Sequence, residues 1–196
     1  SGVSMRALAD AAASRGHDVS GSDNALCGHD AKNVEGCDLV VYTNAVPQDN
    51  CELVQAKQAG IPVVERATYL GELSKTYGTV IAVAGCHGKS TTTAMLGAAY
   101  GGRNATLHVG VAGGSKAGSD KYFITEACEY RASFLHLSPD IGVVLNVQYD
   151  HPDYYKTESA LWDAYKRFCG NSKKVIVNGD DPLCAGLARN AVTFGF

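Results

Sequence analysis

Small and apolar residues from Met5 to Arg15 (Met5, Ala7, Leu8, Ala11, Ala12) predict a helix that stops at Gly16. A short strand, Asp18 to Asp23, is expected next, ending in Ser22 and Asp23. The run Gly36 to Asn44 reads as a buried parallel strand with polar residues at its carboxyl end. A helix from Cys51 to Ala59 and a strand over Gly60–Arg66 follow, then a helix from Ala67 to Ser74. Lys75 to Gly78 reads as a linker. Beyond it, four apolar runs predict strands: Val80–Ala84, Tyr122–Glu126, Ile141–Asn146 and Lys174–Asn178. Helices are expected over Thr91–Ala99 and Glu158–Phe168. The alternation of strand and helix predicts an α/β chain in two units. Residues 1–76 form a Rossmann-like domain whose first strand is missing, and 77–196 a second α/β domain with a mainly parallel sheet. Two segments look short for their place, 24–27 and 112–118.

Composition narrows the class. The net charge of −3 gives no sign of a nucleic-acid partner. No apolar run approaches the roughly 18 residues that span a bilayer, so no membrane role is expected. Seven cysteines, odd in number and never spaced Cys-x-x-Cys, point away from a disulfide framework or zinc knuckle and toward a cytoplasmic setting.

The segment with most chemical content is Gly85-Cys86-His87-Gly88-Lys89-Ser90-Thr91. It lies between a β-branched strand and a small-residue helix, where loop N–H groups and a helix N-terminus face an anion together. Lys89 would meet the β- and γ-phosphates of ATP, and the Ser90 hydroxyl would face Mg²⁺. The loop is shorter than the usual pattern, since Val83 stands where the first glycine is expected, so an ordinary glycine-rich β–α turn stays open as a reading. Cys86 is the thiol expected to be reachable by reagents. Glu126 ends a strand beside this loop and would hold Mg²⁺ through hard oxygens, or else be a surface acid. Asn146, Asp150 and His151 lie at or beyond the next strand end. Imidazole is an unusual partner for Mg²⁺.

Together, the loop at 85–92, the segments Glu126–Tyr130 and Ser133–Asp140, and Asn146 through Asp150-His151 resemble the Mur ligases, the ATP-dependent amide-forming enzymes of bacterial cell-wall precursor synthesis. Gly2-Val3-Ser4-Met5 and Ser20–Asp23 resemble the UDP-sugar-binding part of that family. Cys86 and Ser90 stand where the family has threonine. The resemblance implies that Lys89 binds phosphates, that Ser90 and Glu126 hold one Mg²⁺, and that His151 helps to hold a second. It implies UDP-sugar contacts from Gly2, Ser4, Met5, Ser22, Asp23, Thr43, Asn44 and Ala45. The implied reaction joins L-alanine to the lactyl carboxylate of UDP-N-acetylmuramate through an acyl phosphate, with ATP consumed. A peptide-adding recycling member, or a non-catalytic nucleotide-sugar-binding module, remains an alternative. The family's adenine-recognising residues and amino-acid-binding domain lie beyond Phe196, so this polypeptide is not expected to ligate alanine by itself.

Overall fold

The structure, a computed structural model, describes residues 2–24, 28–101, 104–187 and 190–195. Its centre is a six-stranded, wholly parallel sheet. The strands are β3 (Thr79–Ala84), β4 (Ala105–His108), β5 (Tyr122–Glu126), β6 (Ile141–Val144), β7 (Lys174–Asn178) and β8 (Val192–Phe194), in spatial order β4-β5-β3-β6-β7-β8. β3 lies between β5 and β6, with Val83 opposite Glu126 and Ala84 opposite Val144. Its residues 80–84 are fully buried because both faces are covered. Ile81 and Val83 pack under α4 (Lys89–Ala99) with Leu96 and Tyr100. Val80, Ala82 and Ala84 face the larger core, built with α1 (Val3–Ser14), α3 (Arg66–Ser74) and α5 (Glu158–Gly170). The period of two along β3 therefore sorts side chains between two helical layers.

The amino-terminal unit is much thinner. Its sheet has two parallel three-residue strands, β1 (Val40–Tyr42) and β2 (Val63–Glu65), with α2 (Cys51–Gln58) between them in sequence. The strand expected over residues 18–23 does not form. That segment runs without ladder partners, since β1 pairs only with β2. Helices α1 and α3 contribute Leu8, Ala11, Leu70 and Leu73 to the same core as Phe123 and Val144 of the large sheet. β4, β8 and the short α6 (Pro182–Ala185) add to the elements expected from sequence. The short segment at 112–118 forms a tight return, closed where Leu107 and Lys116 exchange backbone hydrogen bonds of 2.8 and 3.0 Å. Most of the other short segment, residues 25–27, lies outside the described residues. Among the described residues no helix is long and apolar enough to cross a membrane.

Candidate active site

The glycine loop leaves the carboxyl end of β3 and enters α4 through Gly88, whose left-handed backbone (φ +82°) makes it the helix cap. Gly85 has φ +141°, and a Cβ there would sit 3.1 Å from Leu145 Cβ and 3.2 Å from the Asn146 nitrogen. Only glycine lets the loop approach the β6 exit this closely. Two pairs of hydrogen bonds then tie the loop to that exit. The His87 amide donates to Asn146 Oδ1 at 2.9 Å, and Asn146 Nδ2 donates back to the His87 carbonyl at 3.0 Å. The Gln148 amide donates to Cys86 Sγ at 3.1 Å, and that thiol donates to the Gln148 carbonyl at 3.0 Å. Cys86 is thus a structural link, with its pKa pushed up by burial first and by the Glu129 charge in addition. The expectation of Cys86 as the one reachable thiol is corrected: it is half-buried, while Cys51 and Cys128 are the exposed thiols among the described residues. All six cysteines among the described residues are free.

Lys89 folds back over the loop. Its Nζ donates to the Gly85 carbonyl at 2.5 Å and to both oxygens of Glu129, at 3.0 and 3.2 Å. Glu129 is almost completely buried, at 1 % exposure. The Tyr155 hydroxyl fixes its backbone by donating to the Glu129 carbonyl at 2.6 Å. His151 Nε2 stands 3.6 Å from Glu129 Oε1 and 3.8 Å from Asp150 Oδ2. One ligand atom from each of Glu129, Asp150 and His151 lies within 4.8 Å of the others. Left-handed backbone at Arg131, Ala132 and His151, all non-glycine, brackets this cluster. Such strain persists only where surroundings over-determine it. The Tyr130 ring, 4.7 Å from that of His151, and its hydroxyl, which donates to Asp153 at 3.0 Å, supply part of that constraint.

The tips of β5, β3 and β6 therefore bring together a carboxylate, an ammonium and an imidazole. The carboxylate is Glu129, whereas Glu126 was the acid expected there from sequence. Glu126 Oε1 instead accepts the Gly110 amide at 3.0 Å, on the β4 side of β5. The signal for Glu129 was present as a second glutamate three residues beyond the strand end. Choosing it required the turn after β5 that carries residue 129 back to the loop. Asn146 stood in a quoted motif, but its role as the loop's bracket is visible only in the structure. Ser90 and Thr91 occupy the first turn of α4, beside Lys89.

The residues expected to contact a UDP-sugar fall into two groups. Gly2 caps α1, with Ser4 and Met5 in its first turn. The Ser4 hydroxyl accepts from Arg66 Nη1 at 3.0 Å. Thr43, Asn44 and Ala45 follow β1, and Asn44 Nδ2 donates to Glu65 Oε1 at 3.4 Å. Ser4 and Asn44 therefore converge on the adjacent residues Arg66 and Glu65, neither of which sequence reading singled out. Ser22 and Asp23 lie elsewhere. The Ser22 hydroxyl donates to Glu52 Oε2 at 2.7 Å, His29 Nδ1 lies 2.8 Å from the same oxygen, and Asn33 Nδ2 donates to Glu52 Oε1 at 2.7 Å. Burial raises the Glu52 pKa, but these hydrogen bonds outweigh it, and the net shift is downward. The trio is not a nucleophilic triad. Ser22 Oγ and His29 Nδ1 lie 3.1 Å apart and meet on the same Glu52 oxygen, so the carboxylate takes the serine hydrogen bond itself and does not orient the ring from its far nitrogen.

This fold and loop define a parallel α/β protein with a glycine loop of P-loop form and a carboxylate–imidazole cluster beside its lysine. The Mur ligase middle domain matches residues 83–196, and the model described as Mur ligase family, catalytic domain, matches residues 1–77. The chain belongs to the Mur ligase family. It is 42% identical to UDP-N-acetylmuramate--L-alanine ligase of Caldicellulosiruptor saccharolyticus, over 98% of this chain and 49% of that protein. It is 41% identical to the protein of the same name from Clostridium acetobutylicum, over 99% and 49%. The solved structure of UDP-N-acetylmuramate-alanine ligase from Thermotoga maritima superposes with a TM-score of 0.86 at 28% identity, covering all of this chain and 50% of that one. The chain spans about half the length of the curated relatives it matches. The first match runs over 222 aligned positions, more than the 196 residues here, so that relative carries residues inside the matched span with no counterpart in this chain.

Proposed function

We propose that this chain carries the sugar-nucleotide-binding and ATP-binding parts of a ligase that joins L-alanine to the lactyl carboxylate of UDP-N-acetylmuramate. Residues 1–76 take the UDP-sugar and residues 77–196 the nucleotide. The observation that carries the reading is the Lys89–Glu129–His151 arrangement at three adjacent strand tips, beside a glycine loop of phosphate-binding form. The curated relatives named for alanine ligation favour alanine as the incoming amine.

In the implied reaction, a carboxylate oxygen of the sugar nucleotide attacks the γ-phosphorus of ATP and the bond to the β-phosphate bridge breaks. ADP leaves an acyl phosphate behind. The amine of alanine then attacks the acyl carbon, inorganic phosphate departs and the amine loses a proton. Both partners of the first step are anions, so the site must offset their repulsion. Lys89 supplies a point charge, and the loop amides with the α4 N-terminus supply fixed dipoles. Asn146 holds the His87 peptide so that these dipoles keep their direction. Glu129, Asp150 and His151 suit a divalent cation: two carboxylates offer hard oxygens, and Asp150 and His151 leave an open side toward phosphate and water. Glu129 with the Ser90 hydroxyl would hold Mg²⁺, His151 would serve at its edge, and the ion when bound neutralises phosphate charge.

Titrating UDP-N-acetylmuramate and ATP separately into the chain tests the reading. Saturable binding of both, with ATP binding dependent on Mg²⁺, is the expected result. A chain that binds the sugar nucleotide but ignores Mg-ATP is a binding module, and one that ignores the UDP-sugar is a general nucleotide-binding domain.

A further inference from the structure

His108 ends β4 at 4 % exposure and takes no part in the chemistry above. Its two ring nitrogens face different regions of the chain. Nδ1 lies 3.1 Å from Thr125 Oγ1 on β5, one residue before Glu126. Nε2 lies 3.2 Å from Ser4 Oγ in the first turn of α1, which in turn accepts from Arg66 Nη1. Thr125 Oγ1 donates to the Glu126 carbonyl at 3.0 Å, which leaves its lone pairs to accept Nδ1–H. Nε2 is then an acceptor for the Ser4 proton. The other tautomer would give Nε2–H to the Ser4 carbonyl at 3.3 Å and bridge the same two elements. Burial, with the Arg66 charge second, pushes the His108 pKa down to about 4, so the ring is neutral near pH 7 and can both donate and accept. The surrounding contact between α1 and the large sheet is apolar, built from Leu8, Ala11 and Phe123, with the His108 ring stacked 6.4 Å from Phe123. A polar connection through an apolar interface is directional where its neighbours are not. Hydrophobic contacts tolerate small sliding, but a ring bonded at both nitrogens fixes one register.

We propose that His108 is a positioning residue that couples the UDP-sugar end of the molecule to strand β5, through Arg66–Ser4 on one nitrogen and Thr125 on the other. A ligand that settles Ser4 and Arg66 then settles β5 and the turn that carries Glu129. Each ligand raises the affinity for the other by the same factor, as linkage requires. This inference rests on the assignment of the two ligands to the two regions.

Calorimetric titration of the chain with Mg-ATP, alone and with saturating UDP-N-acetylmuramate, reads the coupling directly. It is repeated with His108→Phe, which keeps an aromatic ring and removes both nitrogens, and with Thr125→Val, which keeps the shape and removes the hydroxyl. The unmodified chain should show at least about fivefold mutual enhancement. Both variants should bring that factor to near one while each ligand alone binds within about threefold of the original. His108→Gln, whose amide reaches the Nε2 position, should restore part of the factor. If both ligands bind and the enhancement is equal in all four proteins, or absent from the unmodified chain, the coupling role is overturned and the functional reading stands. If the unmodified chain fails to bind the sugar nucleotide, both fall together. The near-isosteric Thr125→Val keeps the test decisive if the Phe variant does not fold.

Discussion

The glycine loop and the Ser22 region are held in opposite ways. Around the loop, the holding is shared: β3 is paired on both sides, the Asn146 side chain bonds the His87 N–H and C=O, and the Cys86 thiol closes a second pair with the Gln148 backbone. Around Ser22 there is no ladder, and a single carboxylate, Glu52, collects three side chains from three segments. A region fixed by sheet pairing and by several separate bonds onto its backbone can lose one side chain and keep its path. A region fixed by one buried acid has no reserve. On the proposed assignment, the phosphate side is held with reserve, and the order of the sugar-nucleotide side depends on a few polar residues.

The sharpest way to separate the two regions is Lys89→Ala. ATP affinity should fall by about 100-fold or more, because a buried charge-assisted phosphate contact is lost, while UDP-N-acetylmuramate affinity stays within about twofold. Equilibrium titration of each ligand reads both. Joint loss in a folded protein would mean that the regions do not do separate jobs.

Next in size is the acid response of His108, where α1 meets β5. A histidine held near pKa 4 against an ordinary 6.5 leaves the folded state with fewer bound protons than the unfolded state throughout that window. Stability must therefore fall as pH drops from about 6.5 to 4, by up to about 3 kcal/mol from this residue. Urea melts across that range should show the loss, and His108→Phe should flatten it.

Asn146→Ala tests the reserve of the cradle. Two hydrogen bonds to the backbone of one residue, His87, disappear, at a cost of about 1–3 kcal/mol, and ATP affinity should drop about tenfold with the sheet intact by circular dichroism. Glu52→Gln tests the other side. Removing the charge that gathers Ser22, His29 and Asn33 should cost about 1–2 kcal/mol in denaturant melts, weaken sugar-nucleotide binding and leave ATP binding unchanged. Equal effects of Glu52→Gln on both ligands would erase the contrast.

The same contrast decides what sequence alone reveals. β5 and β7 fall on the residues their apolar runs predict, and α2, α4 and α5 fall within two residues or so, because a strand inside a parallel sheet reads as a near-continuous apolar run and a packed helix keeps its 3.6-residue period. The strand expected at 18–23 fails because alternation alone cannot supply a partner strand. β4 was missed because Ala105–His108 is a short run with a buried histidine in it. At the site, Lys89 is legible from spacing, His151 only through the family resemblance, and the acid only as one of two. Glu126 sits at the strand end, where general rules place ligands. The turn after it, with left-handed Arg131 and Ala132, delivers Glu129 to the lysine instead. Arg66, Glu52 and His108 left no local signal, since their roles come from contacts between residues far apart in the chain.

The central claim is that Glu129, opposite Lys89 and His151, is the carboxylate of the magnesium-nucleotide site. Measuring ATP affinity against Mg²⁺ concentration for Glu129→Gln and Glu126→Gln tests it most directly. Glu129→Gln should abolish the Mg²⁺ dependence, while Glu126→Gln keeps it within about threefold. Preserved Mg²⁺ dependence in Glu129→Gln, with its loss in Glu126→Gln, would contradict the account.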